Sequence, residues 1–259
     1  MKKQWALILG GSSGLGLATA KKMARHGYHL IIIHRDRRSD LEEINTHFKE
    51  ITLTGVQLLS FNIDAANSDK RKQTIEEIKT TLTNSGKIKM MVHSIAKGSL
   101  KPMVSNEETT LNHQDIEITL NAMALSFYDW VKEIYEQNLF DEDARVVAFT
   151  SEGSSRAWEG YAAVSAAKAT LEALTRSIAL EYASKGIKAN CIQAGTTDTK
   201  AFQIIPNSKD LKKKALERNP NKRLTTPEDV ANTVYLLSTD EAKWITGTVI
   251  KVDGGESLR

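Results

Sequence analysis

Cysteine is nearly absent from this chain of 259 residues. The single Cys191 excludes an internal disulfide framework and a cysteine-based zinc cluster. Proline is scarce at 4 residues and glycine unremarkable at 15, which excludes collagen-like and low-complexity organisation. No apolar run approaches the ~20 residues that cross a bilayer. The opening Met1-Lys2-Lys3-Gln4-Trp5 resembles a signal n-region, but the apolar stretch stops at Leu9. That is short of the ~7–15 residues of a secretory core, so a reducing, cytoplasmic location is expected. A dominant charge sign is also missing. Against 35 basic residues stand 32 acidic ones, a net charge of +3, and neither a nucleic-acid nor a membrane partner is expected.

What is present is 41% apolar and 26% charged sequence, ordinary for a globular chain. Its periodicity alternates between strand and helix. Strands are predicted at Trp5–Leu9, His29–Ile33, Gln57–Phe61, Met90–Ser94, Arg145–Thr150, Lys188–Ile192 and Thr248–Val252. Between them, helices are predicted at Leu15–His26, from Ser39 and Asp40 to about Glu50 with Ser39 as N-cap, and at Ser68–Leu82. Further helices are expected at about His113–Gln137, Gly160–Tyr182 and Pro227–Leu237. Seven strands separated by helices imply an α/β, doubly wound Rossmann-type fold: a parallel sheet with helices on both faces. No linker divides the chain, so residues 1–259 are read as one domain. The polar stretch Thr196–Asn221 is long for a connection and is read as a substrate lid or a disordered loop.

Gly10-Gly11-Ser12-Ser13-Gly14-Leu15-Gly16 follows the first strand and opens the first helix. Glycines there permit a tight turn and let backbone N–H groups approach a pyrophosphate at the positive end of a helix. The alternative is a structural turn, and the strand-turn-helix context favours the nucleotide. The spacing Gly-x-x-x-Gly-x-Gly resembles that of the short-chain dehydrogenase/reductase superfamily. The second strand exits into His34-Arg35-Asp36-Arg37-Arg38. An acid at the first position would favour NAD, whereas Arg35 suits the 2′-phosphate of NADPH, the expected cofactor in preference to NADH. Arg37 and Arg38 also fit a solvated turn, and Asp36 is an objection because it could face the ribose.

Tyr161 and Lys168 lie seven residues apart at the start of a predicted helix, two turns that return to one face. A lysine beside a phenol favours phenolate and would lower the phenol pKa, making Tyr161 a usable proton donor. Most of the superfamily carries Tyr-x-x-x-Lys, but the corresponding position here is Val164. The longer Tyr-x6-Lys resembles the enoyl-[acyl-carrier-protein] reductases. So do Val92-His93-Ser94-Ile95-Ala96, Thr119 at the usual catalytic asparagine position, and the tail from Asp210-Leu211 to Val252-Asp253-Gly254-Gly255. That tail is particularly similar to the NADPH-dependent type.

The resemblance implies Tyr161, Lys168 and Ser151 as catalytic residues. It implies Asn62 and Ile63 beside adenine, Ser94, Ile95 and Ala96 along the ribose, and Gly195, Thr197 and Thr199 over the nicotinamide. With Gly10, Ser12, Ser13, Gly14, Leu15, Gly16, Arg35 and Lys168 these complete the expected cofactor contacts. The implied reaction is NADPH-dependent reduction of a trans-2-enoyl thioester, with an acyl carrier protein or acyl-CoA partner and a homotetrameric assembly through the helices near 113–137 and 160–182. Other readings are a ketone or 3-ketoacyl reductase of the same superfamily, or a non-catalytic NADPH-binding module. The basic run Lys209–Lys214 with Arg218, Lys222 and Arg223 is a solvated face or a contact for an acidic carrier. No metal site is expected, because the six histidines are scattered and lack ligand partners at suitable spacing. No Gly-x-Ser-x-Gly elbow supports serine hydrolysis.

Overall fold

The computed structural model describes residues 4–82, 86–205 and 207–259. Its centre is strand β1 (Gln4–Leu9), where Trp5 through Leu9 have no exposed surface. Side chains alternate across a strand. Trp5, Leu7 and Leu9 therefore join one apolar layer with Phe127, Trp130, Leu171 and Ile178, while Ala6 and Ile8 join another with Met23, Ile44, Phe48 and Val230. A strand covered on both faces has to be continuously apolar, and β1 is.

Around β1 the sheet runs β3 (Leu58–Asn62), β2 (His29–His34), β1, β4 (Lys87–His93), β5 (Phe140–Thr150), β6 (Ile187–Ala194), β7 (Val249–Val252). All six pairings are parallel. One face carries α1 (Gly14–Arg25), α2 (Leu41–Thr52) and α9 (Pro227–Ser238); the other carries α3 (Ser68–Leu82), α5 (Ser126–Glu136) and α6 (Ala162–Glu181). Chain order reverses between β2 and β4 on either side of β1. The connections leaving β1 and β4 therefore diverge and open a crevice at the C-terminal strand ends.

Several boundaries differ from the sequence reading, each for a physical reason. β5 begins at Phe140, five residues before the predicted Arg145, because the polar Asp141-Glu142-Asp143 breaks the apolar run although Asp143 serves there as a counter-ion. The long helix expected over His113–Gln137 is α4 (His113–Leu120), a π-helical turn at Asn121–Leu125, and α5. Such turns insert one residue per turn and recur at functional sites. Ser39 does not cap α2, whose entry is a 3₁₀ turn at Arg38–Asp40; its hydroxyl donates to Asp40. The polar stretch Thr196–Asn221 holds two helices, α7 (Lys200–Gln203) and α8 (Ser208–Arg218).

At the N-terminal end of the sheet Asp143 accepts from Arg145 Nη1 at 2.6 Å, Lys188 Nζ at 2.6 Å and Lys89 Nζ at 2.8 Å. Arg145 is 1% exposed and also donates through Nε to Leu237 O, tying β5 to the end of α9. Burial alone would raise the Asp143 pKa, but the cations outweigh it and hold the carboxyl far below its ordinary 3.8. Its contribution to stability is thus complete above about pH 4 and fades only in strong acid. Asp143→Asn leaves a buried guanidinium and Lys89 without their anion and should cost about 3 kcal/mol, read as a lower urea midpoint at pH 7. A loss under about 1 kcal/mol would contradict this role for the cluster.

Candidate active site

The turn after β1 is built on close backbone approach. Gly10 N donates to Ile33 O at 2.7 Å, and Ser94 N donates to Leu9 O at 2.8 Å. Gly10 has φ +85°, and a Cβ there would lie 2.5 Å from Ser94 O; on Gly16 it would lie 2.1 Å from Gly10 O. The first turn of α1 contains no acid and its N-terminus receives no side-chain cap among the described residues. Its leading N–H groups point out of the helix as an anion site.

The crevice is a cleft of about 1200 Å³. It is lined by Gly10, Ser12, Ser13, Gly14 and Leu15 from the first turn, and by Arg35 and Ile63 from the ends of β2 and β3. Ser94, Ile95 and Ala96 continue the wall after β4, Ser151, Tyr161 and Lys168 stand over β5 and α6, and Gly195, Thr197 and Thr199 follow β6. Two expected cofactor contacts are elsewhere. Gly16 lies under the turn against Gly10. Asn62 uses its amide on Asp36, accepting from Asp36 N at 3.0 Å and donating to Asp36 O at 3.1 Å, so it fixes the exit from β2 and is not on the cleft wall.

Lys168 is 6% exposed, and Nζ donates to Phe149 O at 2.6 Å. Burial lowers its pKa to about 8, with Cys191 and Glu172 opposing the shift. The ammonium has three donors, and Phe149 O is its one acceptor among the described residues, so two remain for a ligand. Tyr161 is not in the first turn of α6 as expected but precedes it at the N-cap position, φ −109°. Gly160 (φ +69°) sets that position, since a Cβ on it would meet Leu100 O at 2.8 Å. The phenol ring is wedged between Trp158, at 5.2 Å between centroids, and Gly153, where a Cβ would lie 2.5 Å from Tyr161 Cε1.

The expected lowering of the Tyr161 pKa is reversed. Burial raises it, the nearby Ser151 hydroxyl only partly opposing. The phenol is therefore a protonated donor at neutral pH. Ser151 Oγ is buried without a hydrogen-bond partner among the described residues, on the wall of the same cleft. An orphaned buried hydroxyl there is a group for a ligand to satisfy.

For other residues named from the sequence, the partners escaped that reading. Thr119 accepts from Ser99 N at 3.0 Å and donates to Asp115 O at 2.7 Å, fastening the segment after β4 to α4. Arg218 of α8 spends its charge on Glu152, next to Ser151, at 2.7 and 2.8 Å. Lys212 is paired with Asp198 at 2.5 Å, which removes it from the free basic run. No sequence spacing signals these contacts, which join segments far apart in the chain. The glycine cradle, the uncapped helix and the ammonium with unused donors fit a pyrophosphate and a ribose, so the cleft suits a dinucleotide.

A family model described as "Enoyl-(Acyl carrier protein) reductase" matches residues 10–257. The chain belongs to the short-chain dehydrogenase/reductase superfamily, as an oxidoreductase of that fold. It is 31% identical over 265 residues to a probable 2,4-dienoyl-CoA reductase of Bacillus subtilis, covering 100% of this chain and 98% of that one. It is 29% identical over 252 residues to the 3-oxoacyl-[acyl-carrier-protein] reductase FabG of Staphylococcus epidermidis, with 96% and 97% covered. A short-chain dehydrogenase of Burkholderia cenocepacia, solved in complex with NADP, superposes with a TM-score of 0.83 at 23% identity, covering 98% of each chain.

The buried ammonium gives a direct test. Its cost to stability is full below about pH 8 and is relieved as the pH rises towards 10.5, the ordinary lysine value. An NMR titration of lysine side chains should show one ammonium titrating near pH 8, absent in Lys168→Arg. Titration of every lysine above about pH 10 would contradict the burial.

Proposed function

We propose that this oxidoreductase reduces the α,β double bond of a trans-2-enoyl thioester, on acyl carrier protein or coenzyme A, with NADPH. The observation that carries the reading is the exchange of residues between positions 161 and 164. Val164 is 5% exposed and packs with Ala122, Met123 and Ala167, so where most of the superfamily has its phenol there are only methyl groups. The phenol stands one turn earlier, at Tyr161, on the cleft wall.

A nicotinamide bound in this cleft would supply hydride to the β-carbon. Electron density from the double bond then moves to the thioester oxygen, two bonds beyond the α-carbon, and not to the carbon that takes hydride. A donor for that oxygen has to stand away from the hydride's target, and a shift of one turn, about 5 Å along a helix, is of the right size. The Tyr161 phenol donates its proton to the oxygen as charge develops, where stabilisation is most effective. The resulting enol returns its electron pair to the α-carbon, which takes a proton from water to give the saturated thioester. Lys168 supplies positive field and two free donors for the ribose, and Ser151 Oγ supplies a second hydroxyl at the carbonyl. Arg35 on the wall supports the 2′-phosphate of NADPH. Lys213 and Lys214 are exposed on α8, and Lys214 reaches the mouth, where an acidic carrier would approach.

The second reading, 3-oxoacyl reduction, is favoured by the relatives named for it, which on names alone weigh more than the dienoyl-CoA reductase. The two separate cleanly on substrate. Crotonyl thioester should be turned over with NADPH and acetoacetyl thioester far more slowly. Tyr161→Phe should lower kcat by at least ~10²-fold, and adding Val164→Tyr should not restore it. Faster acetoacetyl reduction by the wild type would establish the second reading instead.

Assembly as a homotetramer through α4–α5 and α6 is part of the same reading. Ile118, Leu125, Tyr128 and Leu180 are exposed there and would be covered by a neighbouring copy. Sedimentation should give a species near four times 28.7 kDa, and a monomer at micromolar concentration would exclude it.

A further inference from the structure

Two cations share one oxygen beside the Arg35 end of the cleft. Arg35 Nη1 lies 2.5 Å and Lys97 Nζ 3.2 Å from Oδ2 of Asp64. Arg35 and Lys97 line the cleft, as do Ile63 and Ala65 on either side of Asp64. The other oxygen of Asp64 accepts from Ala66 N at 3.0 Å, which ties the carboxylate from behind. Arg156 and Arg218 share Oε1 of Glu152 in the same way, at 3.0 and 2.7 Å, but beside Ser151 and not at the end of β2 that carries Arg35; Lys200 pairs with Glu43. The Arg35–Asp64–Lys97 group is therefore left with one unit of positive charge facing the cleft.

The acid that would speak for NADH lines the same cleft but is held by its neighbours. Asp36 Oδ2 lies 2.8 Å from His34 Nδ1, and the Asn62 amide holds its backbone N–H and C=O. Two cations that reach one carboxylate oxygen can also reach the oxygens of one phosphate. Exposed ion pairs are weak, and all three side chains here are at least one-third exposed, so exchange of the carboxylate for a phosphate dianion is favourable. A ribose 2′-hydroxyl offers no charge to drive that exchange.

We propose that Lys97 is a second cationic arm, with Arg35, for the 2′-phosphate of NADPH, and that the Asp64 carboxylate is their internal placeholder. Lys97 then shares in setting cofactor choice, and Asp64 opposes the phosphate by competing for both arms. The inference rests on the dinucleotide reading of the cleft but not on which acyl substrate is reduced.

The test is binding, without acyl substrate: dissociation constants of NADPH and NADH for the full chain, by nucleotide fluorescence. Lys97→Ala should weaken NADPH about tenfold and leave NADH within about twofold, as for loss of one charge-assisted contact. Lys97→Arg should retain the wild-type value for NADPH, and Asp64→Asn should tighten NADPH severalfold with NADH unchanged. A Lys97→Ala variant that binds NADPH as tightly as the wild type, or weakens both nucleotides equally, would overturn the second arm while leaving the dinucleotide site intact. Failure of the wild type to bind either nucleotide would overturn that site and the clamp together.

Discussion

Lys168 places a charge and three hydrogen-bond donors where little solvent reaches, and the arrangement of the cleft follows from satisfying them. Its acceptor, Phe149 O, exists only where β5 ends, so α6 has to lie close over β5 and β6 with Ala163, Ala167 and Leu171 buried beneath it. A second positive charge nearby would be prohibitive, and the neighbouring imidazole carries none. His93 at the end of β4 has its pKa pushed to about 3, by burial first and Lys168 second. Ser126 Oγ donates to Ala122 O and so accepts from His93 Nε2, which fixes the neutral tautomer. Beside this neutral imidazole, Lys168 keeps its charge with one acceptor among the described residues, Phe149 O.

The hydroxyls are placed by sterics. Gly160 turns the chain into α6, Gly153 leaves room for the ring, and Trp158 closes its other side, so Tyr161 is held at the helix entrance. Val164 fills the position one turn on. The same close packing continues through Gly98, where a Cβ would meet Thr119 Cγ2 at 2.7 Å and Val164 Cγ2 at 2.9 Å. The π-helical turn beside it brings Ala122 and Met123 against Val164 and Ala167. The apolar wall and the displaced phenol are thus one structural unit, not two independent substitutions.

Much of this was legible in the sequence because it depends on short-range pattern. Each of the seven strands carries an apolar stretch, continuous in β1 and at the centre of β2, and the glycine turn, Tyr161, Lys168 and Ser151 can be picked out by position. What was hidden depends on tertiary partners. Asp141-Glu142-Asp143 breaks the apolar run, and only in the fold do Lys89, Arg145 and Lys188 converge on Asp143. A π-turn leaves no mark in a periodic helix such as His113–Gln137. Asn62 looks like an adenine contact, yet its amide matches a backbone N–H and C=O at Asp36. The raised Tyr161 pKa follows from burial, which a seven-residue spacing does not encode. The short helices α7 and α8 were obscured by polar sequence, since they bury little apolar surface of their own.

The central claim is that the phenol at position 161 serves a thioester oxygen set apart from the carbon that accepts hydride. A crystal structure with NADP and a saturated acyl thioester product would test it most directly. The account predicts the Tyr161 hydroxyl at ~2.6–3.2 Å from the thioester oxygen, with the β-carbon facing the nicotinamide and Val164 touching only the acyl chain. A complex with the hydroxyl against an oxygen on the β-carbon itself, and the thioester carbonyl held elsewhere, would contradict it.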